Sequence, residues 1–157
     1  MLRNFGRVGA ATAACVALMA TSSLAAGSSG ADAVKDRIAH MKGLGAAAKA
    51  LGDQFRSGNP DSAIVRGEAA KIATAAQSMR AWFPRGSGPE AGVKTRALPA
   101  IWTDATGFAA AQQAFVASAG KLNAAASTGD MAATGAAMKD VGAGCKGCHD
   151  KYRKPES

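Results

Sequence analysis

The stretch GAGCKGCHDKYR, residues 142–153, sets two cysteines three positions apart with a histidine directly after the second. The residues around it show no sustained alternation of apolar and polar positions, and the apolar ones recur with a helical period. On a helix, positions i, i+3 and i+4 share one face, so Cys145, Cys148 and His149 stand on the same side. Followed backwards, that helix reaches a short turn at STGD, residues 127–130, with Met138 and Val141 on the same face as Cys145, Cys148 and Tyr152.

Three further helices are predicted upstream. The first runs from about Ala31 to Arg56, with Val34, Ile38, Met41, Leu44, Ala48, Leu51 and Phe55 as its apolar stripe, and stops at SGNP. The second opens at Pro60-Asp61, a helix start signal. It carries Ile64, Val65, Ile72, Ala75, Met79 and Trp82 up to Pro84, with Glu68 unexplained on the same stripe. Residues 84–99, PRGSGPEAGVKTRALP, read as one long irregular connection, because glycines and three prolines interrupt any regular element. The third helix starts at Ile101 or Thr103 and runs to Ala126, burying Phe108, Ala111, Phe115, Ala119 and Leu122. Two short connections and one long one between four amphipathic helices describe an all-α, antiparallel four-helix bundle. Its alanine-rich core is thin in large side chains, a deficit that a large apolar cofactor would repair.

Closely spaced cysteines serve three chemistries. A thioredoxin-like pair follows a strand and opens a helix, and no strand pattern precedes this one. A tetrahedral zinc site draws on four ligands, whereas Cys145, Cys148 and His149 are three, and the only other histidine is His40. The remaining reading is CxxCH as a covalent attachment point for haem c. Two thiols on one helix face can form thioethers to the two vinyl groups while His149 rises from the same surface to the iron.

The first residues are excluded from the fold. MLRNFGRVGAATAACVALMATSSLA, residues 1–25, has Arg3 and Arg7, then an apolar run, then a small-x-small cleavage pattern at Ser23-Leu24-Ala25. That is the layout of a secretory signal peptide, and the run is too short and too rich in Ala and Thr for a membrane span. Cleavage removes Cys15 and leaves residues 26–157 as one bundle domain, soluble in the periplasm. The whole chain carries 19 basic and 11 acidic residues, and loss of Arg3 and Arg7 reduces the formal net charge from +8 to +6. These charges are scattered and aromatics are few, which argues against nucleic acid and leaves docking with redox partner proteins as a use for them.

With CKGCH followed by Tyr152-Arg153 near the C-terminus of a helical, exported chain, the sequence resembles the class II cytochromes c, the family of cytochrome c′ and cytochrome c-556. RIAHMK at residues 37–42 resembles the family's first-helix segment, and Phe83-Pro84, Gly86-Ser87 and LPAIW at 98–102 resemble its middle connection. The resemblance implies a four-helix bundle enclosing one covalently bound haem c. It also implies His149 as the proximal iron ligand, Arg37 paired with a haem propionate and Arg153 near the proximal side, a position that matters in relatives that bind nitric oxide. Met41 takes the family's distal position. Some members with methionine there are six-coordinate and low-spin, and others leave it unbound beside a five-coordinate iron.

The residues themselves speak to part of this. Met41 lies near the centre of the first helix's apolar stripe, and a Met/His pair is a recognised axial set that raises reduction potential. His40, on the flank, is the alternative ligand or a surface imidazole. Arg37 falls within the stripe one turn before Met41, where a guanidinium needs a partner, whether a propionate, Glu68 or solvent reached along its stem. Trp82, Phe83, Trp102, Phe108 and Phe115 are core aromatics by spacing, with Trp102 the expected neighbour of the porphyrin. Two functions follow: a periplasmic electron carrier with a His/Met pair, or a high-spin protein that binds or sequesters nitric oxide or carbon monoxide. No grouping of acid, base and substrate pocket suggests an enzyme, and the alanine-rich outer faces leave monomer and homodimer open.

Overall fold

The computed structural model describes residues 29–155, so the segment read as a signal peptide lies outside the described residues. Helix α1 spans Gly30–Arg56 and α2 spans Ser62–Ser78. A single turn, α3, covers Ala100–Thr103, and the long helices α4 (Ala105–Thr128) and α5 (Met131–Tyr152) complete the bundle. Side-chain oxygens accept from the free amides at each long helix start, as capping requires: Ser29 from Asp32 N, Asp61 from Ala63 N and Ile64 N, Asp104 from Gly107 N, Asp130 from Ala133 N. Gly129, at φ 79°, ends α4 in the left-handed conformation that lets α5 turn straight back. The four predicted helices and their up-down order are all present.

Three local readings change. The second helix does not remain α-helical to Pro84. It tightens into a 3₁₀ turn over Met79–Trp82, a common way to finish a helix while keeping its last carbonyls engaged. The third helix breaks at Asp104 (φ −107°, ψ 55°), which separates Trp102 on α3 from α4. Ile64, assigned to the buried stripe, faces solvent. Glu68 is half-buried and accepts from Lys71 at 2.7 Å, so it is not the partner of Arg37.

The core joins Leu44 and Leu51 of α1 with Val65 and Ile72 of α2, Phe115 and Leu122 of α4, and Val141 of α5. Ala69, Ala119 and Ala126 are fully buried among them, small enough for the helix backbones to approach closely. α1 packs on α2, α2 on α4 and α4 on α5. The fourth side of the bundle is different. α1 and α5 meet where the Phe55 ring comes 3.6 Å from the position a Cβ on Gly135 would take, and further along they are parted.

The connection of residues 83–99 lies over that open side and is held at two points. Arg37, only 4% exposed, donates to Trp82 O (3.3 Å), Ser87 Oγ (2.8 Å), Ser87 O (2.8 Å) and Thr95 Oγ1 (3.1 Å). Its guanidinium also lies over the rings of Phe83 and Trp102. At the other point, Ala97 and Arg153 form an isolated antiparallel bridge, with Leu98 N donating to Tyr152 O and Lys154 N to Arg96 O. Beside it, Tyr152 Oη donates to Asp104 Oδ2 (2.9 Å) and Lys151 Nζ sits 2.7 Å from the same oxygen, which ties the end of α5 to the start of α4.

Two outcomes are expected in denaturation experiments. Arg37→Ala strands acceptors at Trp82, Ser87 and Thr95 and destabilises the fold by about 2–4 kcal/mol, and Arg37→Lys, which lacks the planar fork, restores only part of this. Lys151, Tyr152 and the Gly107 amide hold the Asp104 carboxyl below its ordinary 3.8. A depressed acid stabilises the fold above its unfolded value and stops doing so as pH falls through the folded one. Stability measured from pH 5 downward therefore declines in the parent, and Asp104→Asn shows a flatter acid limb together with lower stability at neutral pH.

Candidate functional site

Between the separated parts of α1 and α5 lies a cleft of about 540 Å³, within the range of small-molecule and cofactor sites. Arg37, Ile38, Met41 and Lys42 line it from α1, and Cys148, His149, Tyr152 and Arg153 from the end of α5. Lys94, Thr95, Arg96 and Ala97 of the connection form a further wall. The floor is aromatic: Phe83 and Phe108 meet edge-on at 4.9 Å, and Phe108 and Tyr152 likewise at 5.0 Å.

The helices set Met41 and His149 opposite each other. α1 and α5 are antiparallel, and Phe55 meets Gly135 at their common end. Fourteen residues further along α5 stands His149, and fourteen residues back along α1 stands Met41, both about 21 Å from that contact at 1.5 Å per residue. Both line the cleft, one from each wall. Cys145, a turn before His149, is half-buried against the main core, and Cys148 packs against the smaller cluster of Ile101, Phe108 and Tyr152.

The chemistry of this set is not that of a redox dithiol. Burial pushes both thiols above their ordinary value, the reverse of the lowering that activates an attacking cysteine. Among the described residues no three His, Cys, Asp or Glu side chains converge as a metal cluster would need. Burial first, then the charges of Arg153 and Arg96, press His149 below its usual imidazole range and keep it neutral near pH 7, the form whose ring nitrogen can coordinate.

The sequence-predicted residues divide. Cys148, His149, Met41, Arg37 and Arg153 share the cleft, with Cys145 on the same helix face behind them. Trp102 does not line it; its indole N–H donates to the carbonyls of Phe83 (3.3 Å) and Pro84 (3.2 Å), so it braces the connection from behind. His40 stacks on Trp82 at 4.7 Å beside a groove between α1 and α2, outside the cleft. Arg37 meets its need for acceptors with three hydrogen bonds to the connection and one to Trp82 O, all in place before any carboxylate is added.

The residues present fit a covalently attached macrocycle. Cys148, His149 and Met41 line the cleft, Cys145 stands a turn before on the same helix face, and the floor is aromatic. Gln112, on α4, is not among the residues that line the cleft. It lies between Phe108, which touches Tyr152, and Phe115, which touches Gly144, and so falls opposite the Cys145–Cys148 segment. It is 9% exposed, and its Nε2 has no hydrogen-bond partner among the described residues. The sequence carried a signal for it, since Gln112 sits four residues after Phe108 on the buried stripe.

Known proteins bear on the fold and the family. The family model described as Cytochrome C′ matches residues 32–153. The chain is 49% identical to cytochrome c′ of Rubrivivax gelatinosus over 69 residues, 44% of this chain, and there spans about half of that relative's length, 54%. The solved structure of cytochrome c′ from the same organism superposes with a TM-score of 0.75 at 32% identity, covering 80% of this chain and 98% of that one. A ferrous cytochrome c′ variant of Alcaligenes xylosoxidans with bound nitric oxide is similar at a TM-score of 0.74 and 33% identity, over 83% of this chain and 99% of that one. With nearly every described residue inside the match and the bundle shared throughout, the chain belongs to the cytochrome c′ family, whose members bind one covalent haem c.

Proposed function

We propose that the chain is an exported, periplasmic electron carrier and not an enzyme, with its haem c attached through Cys145 and Cys148 and held axially by His149 and Met41. The observation that carries this reading is the placement of Met41 and His149 on opposite walls of one cleft, in register along two antiparallel helices. When bound, the haem supplies a one-electron couple whose potential depends on the axial ligands and on burial. The protein's own part is to hold still. His149 is fixed near the end of a helix whose last turn is tied to Asp104 and to the connection. Met41 projects from the middle of a helix, a rigid mount for a flexible thioether. Phe83, Phe108 and Tyr152 exclude water from the floor, and Arg37 keeps the connection closed over them. The N-terminal segment of residues 1–25 supports export.

A second reading has its own support. A relative of the same fold holds nitric oxide, and here the half-buried Met41 shares its wall with apolar Ile38 and Phe83 between the cations Arg37 and Lys42. Such a wall admits a small uncharged diatomic if the methionine yields its place, and Arg153 beside His149 offers a charge on the proximal side.

Visible spectroscopy of the purified protein separates the two. The carrier gives a low-spin ferric spectrum and slow or absent carbon monoxide binding, and Met41→Ala converts it to a high-spin form that takes up carbon monoxide readily. An unchanged spin state in Met41→Ala removes Met41 as a ligand, and a parent that is already high-spin and responsive favours the gas-binding role. Attachment is checked by mass. After denaturation the parent retains one added haem, and Cys145→Ala/Cys148→Ala retains none.

A further inference from the structure

Thr95 stands where the connection meets Arg37, and both residues line the cleft. Arg37 Nη2 donates to Thr95 Oγ1 at 3.1 Å, and the Ala97 amide donates to the same oxygen at 3.2 Å. A hydroxyl oxygen accepts through two lone pairs and donates through one hydrogen, so the acceptor side of Thr95 is filled and its O–H alone remains to be used. Among the described residues that O–H donates to nothing. The guanidinium on its oxygen polarises the hydroxyl and strengthens it as a donor. Lys94, the preceding residue, also lines the cleft, is exposed, and makes no hydrogen bond or ion pair among the described residues. A polarised hydroxyl donor beside an uncommitted ammonium matches one kind of ligand group, a carboxylate.

Arg37 is itself badly placed to clamp that carboxylate. Both hydrogens on Nη1 and both on Nη2 go to Trp82, Ser87 and Thr95, which leaves only the Nε–H. Arg96, on the same wall, is turned to Lys154 O. A haem joined to α5 through its vinyl groups carries its propionates on the opposite edge of the macrocycle, so their partners come from the other walls. We propose that the Thr95 hydroxyl and the Lys94 ammonium hold a haem propionate, and that Arg37 is a positioning residue that fixes and polarises Thr95. The proposal rests on haem c occupying the cleft and holds whichever group takes the sixth iron position. A donor and a cation on the propionate draw off negative charge that otherwise favours ferric iron, so both residues raise the reduction potential.

Two readings on the haem-loaded protein test this: a spectroelectrochemical titration, and the infrared carboxylate band of haem labelled at its propionate carbons. In Thr95→Val the band shifts, and the ferrous-to-ferric ratio at the parent's midpoint falls roughly fivefold, part of the strength of a hydrogen bond to a charged group. Thr95→Ser, which keeps the hydroxyl, retains both parent values. Lys94→Met moves both readings in the same direction as Thr95→Val, whereas Lys121→Met, the same loss of charge on α4 away from the cleft, moves neither. Ser87→Ala removes an acceptor of Arg37 from the same connection outside the cleft; it lowers stability and leaves both readings in place. An unmoved band in Thr95→Val overturns the proposal, and so does a Ser87→Ala change as large as that of Thr95→Val, which makes the effect one of a loosened connection. Where Thr95→Val does not fold, an unmoved band in Lys94→Met overturns it equally. A purified protein whose mass shows no haem sinks the cofactor reading beneath; haem retained with unmoved bands sinks only the propionate assignment.

Discussion

A four-helix bundle of small side chains packs well only where its helices can come close, and here one of four sides cannot. α1 and α5 touch at Phe55 and Gly135 and are held apart beyond. The candidate site is arranged about that parting: Met41 and His149 face across it, Cys148 lines it with Cys145 a turn behind, and the long connection forms a further wall. Three packed sides keep the fourth open, because Leu51, Val65, Ile72 and Leu122 fix the other helices with almost no exposed surface. The cleft is thus a property of the fold and not of one flexible segment.

The connection shows how a chain without regular structure can still be a wall. Apart from a 3₁₀ turn at Pro89–Ala91 and the bridge at Ala97 it has no regular structure, so most of its backbone polar groups need partners from elsewhere. Arg37 supplies donors to two carbonyls and two hydroxyls at once, a task that suits a planar guanidinium. Ser87, fully buried in a loop, makes sense only as part of this contact. A charged residue on an apolar helix stripe is therefore the organiser of a neighbouring loop, whatever it also offers to a propionate.

Much of this was legible from residue order. The helical period, the break signals at SGNP and STGD, and the single long connection are enough to give four helices in up-down order, and the spacing in CKGCH places both sulfurs and the imidazole on one face. What could not be read depended on contacts distant in the chain. Trp102 was expected against a porphyrin; its indole N–H goes to the carbonyls of Phe83 and Pro84, and it is not among the residues lining the cleft. Glu68 looked misplaced on an apolar stripe, and the explanation was local, a lysine three residues on. Arg37 has its partners 45 to 58 residues away, beyond any periodicity argument. Gln112 was visible as a polar residue at a buried position, yet its unmet donor emerges only when the opposing helix is in place.

The bridge between Ala97 and Arg153 has a dynamic consequence. Leu98 and Lys154 amides donate across it in opposite directions, and Arg96 reaches Lys154 O as well, so the connection cannot lift without unwinding the strand that leaves α5. The two segments form a single opening unit, whose amides exchange with solvent together and at one free energy. Lifting the connection at this end would break these hydrogen bonds together, beside the end of α5 that carries His149.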